Sequence, residues 1–218
     1  MPLQRRSLPF DEPEWLFELK YDGYRALAVI ERGRAQLLSR NGHPFASFSA
    51  LAESISDSLP NVRAVIDGEI CSLDRRGRPQ FKNLLFHRGN PPCFFAFDLL
   101  TCDGKDLRTE RLLYRKQELR RLLARSPMTS PLKYTEYIDG CGKALFQRVC
   151  ELDLEGVVAK QKSAPYVTER EQSTWFKILN REYSQKEGRE ELFERERHNE
   201  PVAGWHVCDL ACAGVEGN

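Results

Sequence analysis

The chain has little of what marks a membrane-inserted or exported protein. No apolar run approaches the roughly 20 residues that a helix needs to cross a bilayer. Residues 1–6 are short and mostly polar, and they lack the apolar core of a signal peptide. We therefore expect no membrane span, no secretory leader and a cytoplasmic location.

The chain also lacks an excess of either charge. It has 33 Lys and Arg residues against 32 Asp and Glu, for a formal net charge of +1. This balance excludes a globally basic protein, so any binding to nucleic acid has to come from a local patch. The 7 cysteines are odd in number and scattered, which indicates reduced thiols rather than a disulfide framework.

What remains is the composition of a globular protein, 41% hydrophobic and 30% charged over 218 residues. We assign residues 1–180 to one domain and residues 181–218 to a charged extension. Alternating and apolar runs predict strands at residues 15–19, 24–31, 35–39, 62–67, 69–73, 93–100, 133–138, 156–160 and 174–179, with a bulge at Asp67-Gly68. Helical spacing predicts helices at residues 48–59, 81–86, 109–125 and 142–152, the third of them capped by Thr109.

The extension differs from the rest of the chain. Residues 181–201 are dominated by Glu and Arg, which is typical of a solvated helix with many salt bridges; a binding role is the alternative. Residues 204–218 are apolar again. His206, Cys208 and Cys212, with His198 upstream, are candidate metal ligands, but their spacing matches no standard zinc pattern. A packed or frayed tail is the interpretation that we favour.

The most informative segment is the run ELKYDGYR at residues 18–25. Lys20 lies in a polar turn between an apolar and an alternating stretch, Gly23 permits a sharp bend, and Arg25 adds a second cation. A lysine is normally protonated at neutral pH, but partial burial beside another cation favours the neutral, nucleophilic amine. The segment is therefore either a nucleophilic lysine site or an ordinary solvated hairpin.

Similar polar clusters recur near the ends of other predicted strands, where a sheet can aim side chains into one cleft. They are SRNG at residues 39–42, DGEI at 67–70, FFAFD at 94–98, EGVVAK at 155–160 and WFK at 175–177. Lysines can neutralise a phosphate under attack, a carboxylate can hold a divalent metal, and an aromatic ring can stack on a base. Each cluster alone is weakly specific, but all of them together favour chemistry on a nucleotide phosphate.

In this order the clusters resemble the nucleotidyltransferase motifs of the ATP-dependent DNA ligase family. The resemblance covers roughly residues 15–179 and is closer to bacterial DNA ligases than to RNA ligases or mRNA capping enzymes. It implies an α+β fold, an ATP-grasp-like adenylation domain of mainly antiparallel sheets flanked by helices. It also implies ATP and Mg²⁺ as cofactors, nicked double-stranded DNA as partner, and a monomer.

The resemblance implies catalytic roles for the matching residues. Lys20 would be the nucleophile that forms a phosphoramide with AMP. Lys160 and Lys177 would contact the α-phosphate. Glu155 would help to bind magnesium, and Arg40 would face the nick.

The same resemblance implies a set of nucleotide contacts. Glu18 and the backbone beside it at Leu19 would read the adenine, and Phe97 would stack on it. Arg25 and Glu69 would contact the ribose or the sugar-phosphate region.

The sequence departs from the family pattern in two places. The last motif normally reads Trp-x-Lys-x-Lys, but Leu179 stands where the second lysine is expected, and Lys162 or Lys186 are the candidates to replace it. An oligonucleotide-binding β-barrel usually follows and needs on the order of 70 residues with strand patterning. Residues 181–218 have neither that length nor that pattern.

Three functions therefore stay open. The first is a minimal ATP-dependent DNA ligase, helped by a repair-protein partner that supplies the missing clamp. The second is a reduced nucleotidyltransferase that adenylates itself but seals poorly or acts on RNA. The third is a non-catalytic module that binds a nucleotide or a DNA end; the intact Lys20, Lys160 and Lys177 argue against it.

Overall fold

Two β-sheets form the frame of the protein in the computed structural model, which describes residues 1–169 and 171–186. The strands of the first sheet are β1 (Gln4–Arg5), β2 (Asp11–Leu19), β9 (Tyr137–Cys141), β10 (Gly156–Gln161) and β11 (Trp175–Leu179). Their order is β1-β11-β10-β2-β9, and all neighbours are antiparallel except β1 and β11.

The second sheet has six strands. They are β3 (Tyr24–Glu31), β4 (Arg34–Leu38), β5 (Ala64–Cys71), β6 (Cys93–Cys102), β7 (Lys105–Asp106) and β8 (Leu132–Tyr134). The order is β4-β3-β5-β6-β7, and β8 pairs in parallel with β6. Short turns join β3 to β4 and β6 to β7, whereas longer segments lead to the antiparallel pairs of β5 with β3 and β6.

Among the described residues, four α-helices cover the sheets. They are α1 (Ser49–Ser58), α2 (Phe81–Leu85), α3 (Leu112–Leu123) and α4 (Gly142–Glu151), with single 3₁₀ turns at Ala46–Phe48 and Ser184–Lys186. The predicted α+β class, mainly antiparallel sheets flanked by helices, is confirmed. Within the part of the chain that the structure describes, no helix is long and apolar enough to cross a membrane.

Strand alternation separates three apolar clusters. In β3, Ala26, Ala28 and Ile30 point into the largest cluster, which packs against α1 and α3. The first sheet turns one face, with Phe17 and Ile178, toward α4. Its other face meets the second sheet, so that a third cluster and a cleft lie between the two sheets; the third cluster contains Leu16, Trp175 and Leu100.

The predicted bulge at Asp67-Gly68 is confirmed, because the register of β5 against β6 shifts there. The single strand predicted at residues 133–138 is wrong. The structure has β8 and β9 in its place, the first paired with β6 and the second with β2. The chain crosses from one sheet to the other at Thr135, whose N–H still donates to Ala96 O at 2.8 Å.

The prediction that Thr109 caps a helix is also wrong. Helix α3 begins at Leu112 after Arg111, and no side chain caps it. The N–H groups of Leu112 and Leu113 donate instead to the carbonyls of Ala164 and Lys162, at 3.0 and 3.1 Å. Backbone carbonyls of a neighbouring loop thus satisfy the first turn, so a capping side chain is not needed.

The start of the predicted extension packs against the domain. Tyr183 Oη donates to Asp22 Oδ2 at 2.9 Å, and Ser184 N donates to Asp153 Oδ1 at 2.9 Å. The predictions for the rest of the Glu/Arg stretch and for His198, His206, Cys208 and Cys212 lie outside the described residues. The described cysteines are all free thiols, as expected; they are Cys71, Cys93, Cys102, Cys141 and Cys150.

Candidate active site

Two strand ends bring Lys20 and Glu155 together. Strand β2 ends just before Lys20, and β10 begins just after Glu155. The pairing continues past the strands, because Lys20 N donates to Gly156 O at 2.9 Å. As a result Lys20 Nζ lies 2.8 Å from Glu155 Oε2, with side-chain exposures of 16% and 13%. Lys20 is partly buried and still accessible from the cleft, as a nucleophile has to be.

Two glycines permit this close approach. A Cβ on Gly23 would lie 2.0 Å from Ile70 O, so only glycine lets the Lys20 turn rest against the end of β5. Gly156 has φ +157°, and a Cβ there would lie 2.3 Å from Ile178 O. Both glycines therefore fix how the Lys20 turn sits on the sheets.

A buried charge cluster lies on the same face of the sheet as Lys20. Glu18, two residues before Lys20, is 2% exposed. Its Oε1 accepts a hydrogen bond from Lys116 Nζ at 2.6 Å, and its Oε2 lies 2.5 Å from Lys160 Nζ. Lys116 also donates to Thr135 O at 2.8 Å. One carboxylate thus holds two buried ammonium groups, which is stable only because the charges are paired.

Lys160 is the more perturbed of these cations. Its Nζ lies 3.8 Å from the centroid of the Trp175 ring and 4.3 Å from that of Phe97. Burial lowers the pKa of Lys160 to about 8, although the Glu18 carboxylate opposes the shift. Lys160 therefore keeps its positive charge at neutral pH, in a setting of low polarity where a charge acts strongly on a neighbouring phosphate.

Lys177 and Leu179 share the face of β11 that carries Trp175, since alternate residues of a strand point the same way. Lys177 pairs across the sheet with Val158, and Leu179 pairs with Gly156, the residue that accepts from Lys20 N. Leu179 is thus separated from Lys20 by strand β10 alone.

Lys162 does not take the place of the absent lysine. Its Nζ donates to Pro13 O at 2.5 Å and contacts Asp139 Oδ1. It also lies six residues beyond Gly156, or about 20 Å along an extended strand. The side chain of Lys186 lies outside the described part of the chain.

Arg25 is held by Asp67, the first residue of the DGEI cluster, to which no role was assigned from the sequence. Its Nε and Nη2 donate to the two oxygens of Asp67 at 3.0 and 2.5 Å, and its Nη1 donates to Met1 O at 2.7 Å. Tyr166 Oη also donates to Asp67 Oδ2, at 2.8 Å. Burial alone would raise the pKa of Asp67, but Arg25 holds that pKa below its ordinary value. Arg25 is therefore a rigid, permanently charged donor.

The remaining predicted nucleotide contacts are spread around the cleft. Phe97 is half-buried and meets Trp175 edge-on, with ring centroids 5.8 Å apart. Glu69 lies directly across the sheet from Arg25. The Leu19 side chain points away, into the apolar cluster beside α4, so only its backbone faces the site.

Arg40 is not brought into the group around Lys20. It is exposed, in the turn that follows β4. Because Leu38 pairs with Leu27 and β4 runs antiparallel to β3, this turn emerges at the end of the second sheet where β3 begins. The Lys20 turn enters the sheet at that same end.

Sequence reasoning missed the buried cations of α3. Arg115 donates to both oxygens of Asp98 at 2.8 Å, and both residues are fully buried. Lys116 is the partner of Glu18. A signal was present, because Arg115 and Lys116 stand three and four residues after Leu112, on its helical stripe, where core residues are expected.

Metal ligands are sparse around Lys20. Within residues 1–169 and 171–186, no group of three or more His, Cys, Asp or Glu side chains could hold a metal ion. Glu155 is a single carboxylate at the mouth of the site. That arrangement fits Mg²⁺ carried by substrate phosphates, since Mg²⁺ commonly uses one or two carboxylates, phosphates and water.

Proteins similar to this chain are known, and they match it over most of its length. The ATP-dependent DNA ligase domain pattern matches residues 6–178. The multifunctional non-homologous end joining protein LigD of Pseudomonas aeruginosa is 36% identical over 169 residues, covering 76% of this chain and 20% of that protein. The bifunctional LigD of Bacillus subtilis is 30% identical over 192 residues, covering 77% and 31%.

A solved structure agrees. The mycobacterial DNA ligase D complexed with ATP and MES superposes with a TM-score of 0.72 at 30% identity, covering 82% of this chain and 58% of that one. The chain spans only about a fifth of the length of the Pseudomonas relative. With the ligase pattern matched over most of its length, the chain belongs to the ATP-dependent DNA ligase family of nucleotidyltransferases.

Proposed function

We propose that this chain is the catalytic adenylation unit of a DNA ligase and that Lys20 carries the AMP. The observation behind this proposal is the placement of Lys20 Nζ, partly buried and 2.8 Å from Glu155, on a sheet face that also bears Lys160. The reaction takes AMP from ATP, passes it to a 5′-phosphate at a nick in double-stranded DNA, and ends when a 3′-hydroxyl displaces AMP.

The first step needs a neutral amine at Lys20. The ammonium loses one proton to become the nucleophile, the nitrogen forms a bond to the α-phosphorus, and the bond from that phosphorus to the pyrophosphate oxygen breaks, which releases pyrophosphate. The nitrogen then gives up a second proton, to Glu155 or to solvent, and the phosphoramide remains. Glu155 Oε2 accepts the hydrogen bond from Nζ, so it holds the nitrogen in place and is an acceptor within reach of its proton. Most of the catalysis in such transfers comes from positioning and charge neutralisation.

Lys160 and Lys177 supply the charge. Lys160 is fixed by Glu18 and by two aromatic rings, so little reorganisation is needed when a phosphate meets it. Lys177 stands on the same face of the sheet. We assign both to the α-phosphate, where negative charge is redistributed during attack.

The nucleoside would occupy the cleft between the sheets. Arg25 uses three donors on Asp67 and Met1, and a guanidinium has five, so donors remain for the ribose or a phosphate. Glu69, across the sheet from Arg25, would accept from ribose hydroxyls. Phe97 would stack on the adenine, and the peptide groups at Glu18 and Leu19 would read its edge.

Mg²⁺ fits this site through Glu155 together with substrate phosphates. When bound, it would neutralise phosphate charge. Glu155 would then serve both the metal and Lys20 Nζ, which it contacts at 2.8 Å.

Nick sealing in full would draw on more than residues 1–180. The matched region makes up only 20% and 31% of the two LigD relatives, which are end-joining proteins. We infer a monomer that acts with another domain or a repair-protein partner as a clamp on the DNA. Leu179 in place of a lysine favours a second candidate, an enzyme that adenylates itself but seals poorly or prefers RNA.

The test is covalent labelling. Purified protein with α-labelled ATP and magnesium should gain label that survives denaturation. Lys20→Ala should gain none while its unfolding temperature stays unchanged, because a partly exposed polar side chain adds little packing. Lys143→Ala is the matched control, since Lys143 is exposed on α4. Its Nζ forms a long ion pair, 3.7 Å from Asp11 Oδ2.

Label on Lys20→Ala would exclude Lys20 as nucleophile. No label on the wild type, together with sealing of pre-adenylated nicked DNA, would mean that the first step requires a part outside this chain. Failure of both reactions would leave a binding module and rule out the enzyme.

A further inference from the structure

A local basic patch exists despite the neutral overall charge. Between residues 72 and 92 the chain carries five cations, Arg75, Arg76, Arg78, Lys82 and Arg88, and one anion, Asp74. The difference is +4, within a chain of formal net charge +1. We call these five cations the basic patch.

The one carboxylate of the segment is used inside the turn. Asp74 Oδ1 accepts hydrogen bonds from the backbone N–H groups of Arg76 and Arg78, at 2.8 and 2.9 Å. These backbone donors hold the pKa of Asp74 below its ordinary value. An isolated bridge between Leu73 and Pro79 closes the turn. Asp74 therefore shapes the turn, and the arginine side chains are left to point outward.

The cations of the patch are available to a ligand. Arg75, Arg76, Lys82 and Arg88 are exposed. Within residues 1–169 and 171–186, none of the five comes within ion-pair distance of a carboxylate. The five positive charges lie on neighbouring turns and repel one another. Their grouping therefore lowers the stability of the fold unless a polyanion binds there.

The patch lies at the same end of the second sheet as the nucleophile turn. Tyr24, at the start of β3, pairs with Ile70, and the basic turn begins three residues past Cys71 at the end of β5. A Cβ on Gly23 would meet Cys71 Sγ at 2.9 Å, so the Lys20 turn and the end of β5 are in contact. Arg40 leaves the sheet at this end as well.

Aromatic packing ties the patch to that end of the sheet. The ring of Phe81 in α2 lies 5.3 Å from that of Tyr24, and the ring of His87 lies 6.0 Å from that of Phe48. Gln185 donates to Pro79 O at 3.0 Å, which adds a contact from the far end of the described chain. The patch is thus held beside the Lys20 turn by contacts on both sides.

We propose that the basic patch binds phosphates of the duplex beside the nick and holds the 5′-phosphate over Lys20. The proposal rests on the proposed function and adds to it the surface that the DNA occupies. Guanidinium groups suit phosphate oxygens, and such contacts position a duplex without reading its sequence. A ligase has to act at any sequence, so a surface of this kind suits its task.

The chain offers a matched control at the opposite end of the same sheet. The turn between β3 and β4 carries Arg32 and Arg34, both exposed, and Arg32 is 88% exposed. Changing Arg32 and Arg34 to Gln removes the same two charges as changing Arg75 and Arg76 to Gln. The two double variants remove equal charge from opposite ends of the sheet; among the described residues, the one ion pair involved, between Arg32 and Glu31, is long at 4.0 Å.

The experiment measures binding of nicked duplex DNA to the full chain by fluorescence anisotropy between 50 and 200 mM salt. Each phosphate contact lowers the slope of log K against log salt by about 0.9. Two lost contacts should therefore make the slope shallower by about 2 and weaken binding roughly 60-fold at 0.1 M salt. The R32Q/R34Q variant should bind within about twofold of the wild type, and R75K/R76K should recover most of the loss, since lysine also binds phosphate as a point charge.

Self-adenylation with ATP and no DNA separates this proposal from the proposed function. Both double variants should label like the wild type, and only R75Q/R76Q should slow AMP transfer to the nick. Equal weakening by both double variants would show a general charge effect and overturn the proposal, as would no weakening by either. No measurable binding by the wild type at 50 mM salt would also overturn it, whereas absent labelling with normal binding would count against the proposed function alone.

Discussion

On the five-stranded sheet, residues that are adjacent in sequence lie on opposite faces. Different interactions stabilise the two faces. Toward α4, Phe17, Val157 and Ile178 are fully buried among apolar side chains. Toward the cleft, Glu18 and Lys160 are almost as buried, but they carry charge and depend on ion pairs. Burying apolar surface stabilises a fold directly, whereas a buried ion pair contributes little net stability. The apolar face toward α4 therefore stabilises the fold, whereas the charged face toward the cleft carries the groups for the chemistry.

The largest expected effects come from adjacent residues on the two faces. Phe17→Ala removes a buried ring and should lower the free energy of unfolding by about 3–5 kcal/mol. Glu18→Ala should cost a similar amount, about 3–5 kcal/mol, because it leaves the Lys116 and Lys160 ammonium groups buried without their carboxylate. The two variants should therefore look alike in urea denaturation.

They should differ in covalent labelling below their unfolding temperatures. The Glu18 carboxylate raises the pKa of Lys160, so its loss leaves less of the charged form at neutral pH. A pKa one unit below the value of about 8 would leave only about half of Lys160 charged at pH 7, so we expect AMP transfer to fall about twofold or more for Glu18→Ala. Phe17→Ala should label at nearly the wild-type rate; equal losses of activity in both variants would contradict the division between the faces.

The sequence was most informative where local pattern decides structure. Alternation in residues 16–19 sets Leu16 and Glu18 on one face and Phe17 on the other, and Gly23 signals the sharp turn. Two-residue strands such as β1 and β7 carry no such pattern and were missed. The split of residues 133–138 between two sheets depends on pairing partners far away in sequence.

The charged core illustrates the same limit. Lys116 and Glu18 are 98 residues apart, and Arg115 and Asp98 come from a helix and a strand. Helical spacing places both cations on the inward stripe of α3, but it does not say which carboxylates meet them. The cluster motifs led to Glu18 and Lys160, whereas Lys116 became visible only in the fold.

A second prediction uses the pKa of Lys160, which burial lowers to about 8. Below that pH the ammonium is charged in both the folded and the unfolded chain. Above it the folded chain loses the proton first, so ATP affinity should fall by up to about tenfold per pH unit. Over the same range the unfolded chain binds more protons, and the contribution of Lys160 to stability should rise with pH until about 10.5.

The measurement is ATP binding to Lys20→Ala between pH 7 and 10 by calorimetry, which avoids the covalent step. Lys160→Arg in that background is the matched control, since arginine keeps its charge throughout. Its affinity should be flat over this range. A decline in Lys20→Ala that persists after Lys160→Arg is added would assign the titration to another group.

The smallest expected effect concerns Leu179, the position on the polar face where the family pattern has a lysine. Leu179 is half-buried and pairs with Gly156, next to Lys20. A lysine there adds one partly screened charge to a site that already holds Lys160 and Lys177. Leu179→Lys should therefore speed self-adenylation by no more than about fivefold, since partly exposed charge pairs contribute up to about 1 kcal/mol.

The control is Leu179→Gln, which changes polarity without adding charge. A gain with lysine but not with glutamine would mean that the phosphate site is short of one cation and that the polar face is incomplete in this chain. Equal rates for wild type and Leu179→Lys would mean that another cation already fills the role. Lys162 is excluded by its contacts with Pro13 and Asp139, so Lys186 would be the remaining candidate from the sequence. A faster reaction in both variants would instead implicate removal of the leucine side chain, because its branched apolar character is what both variants lose.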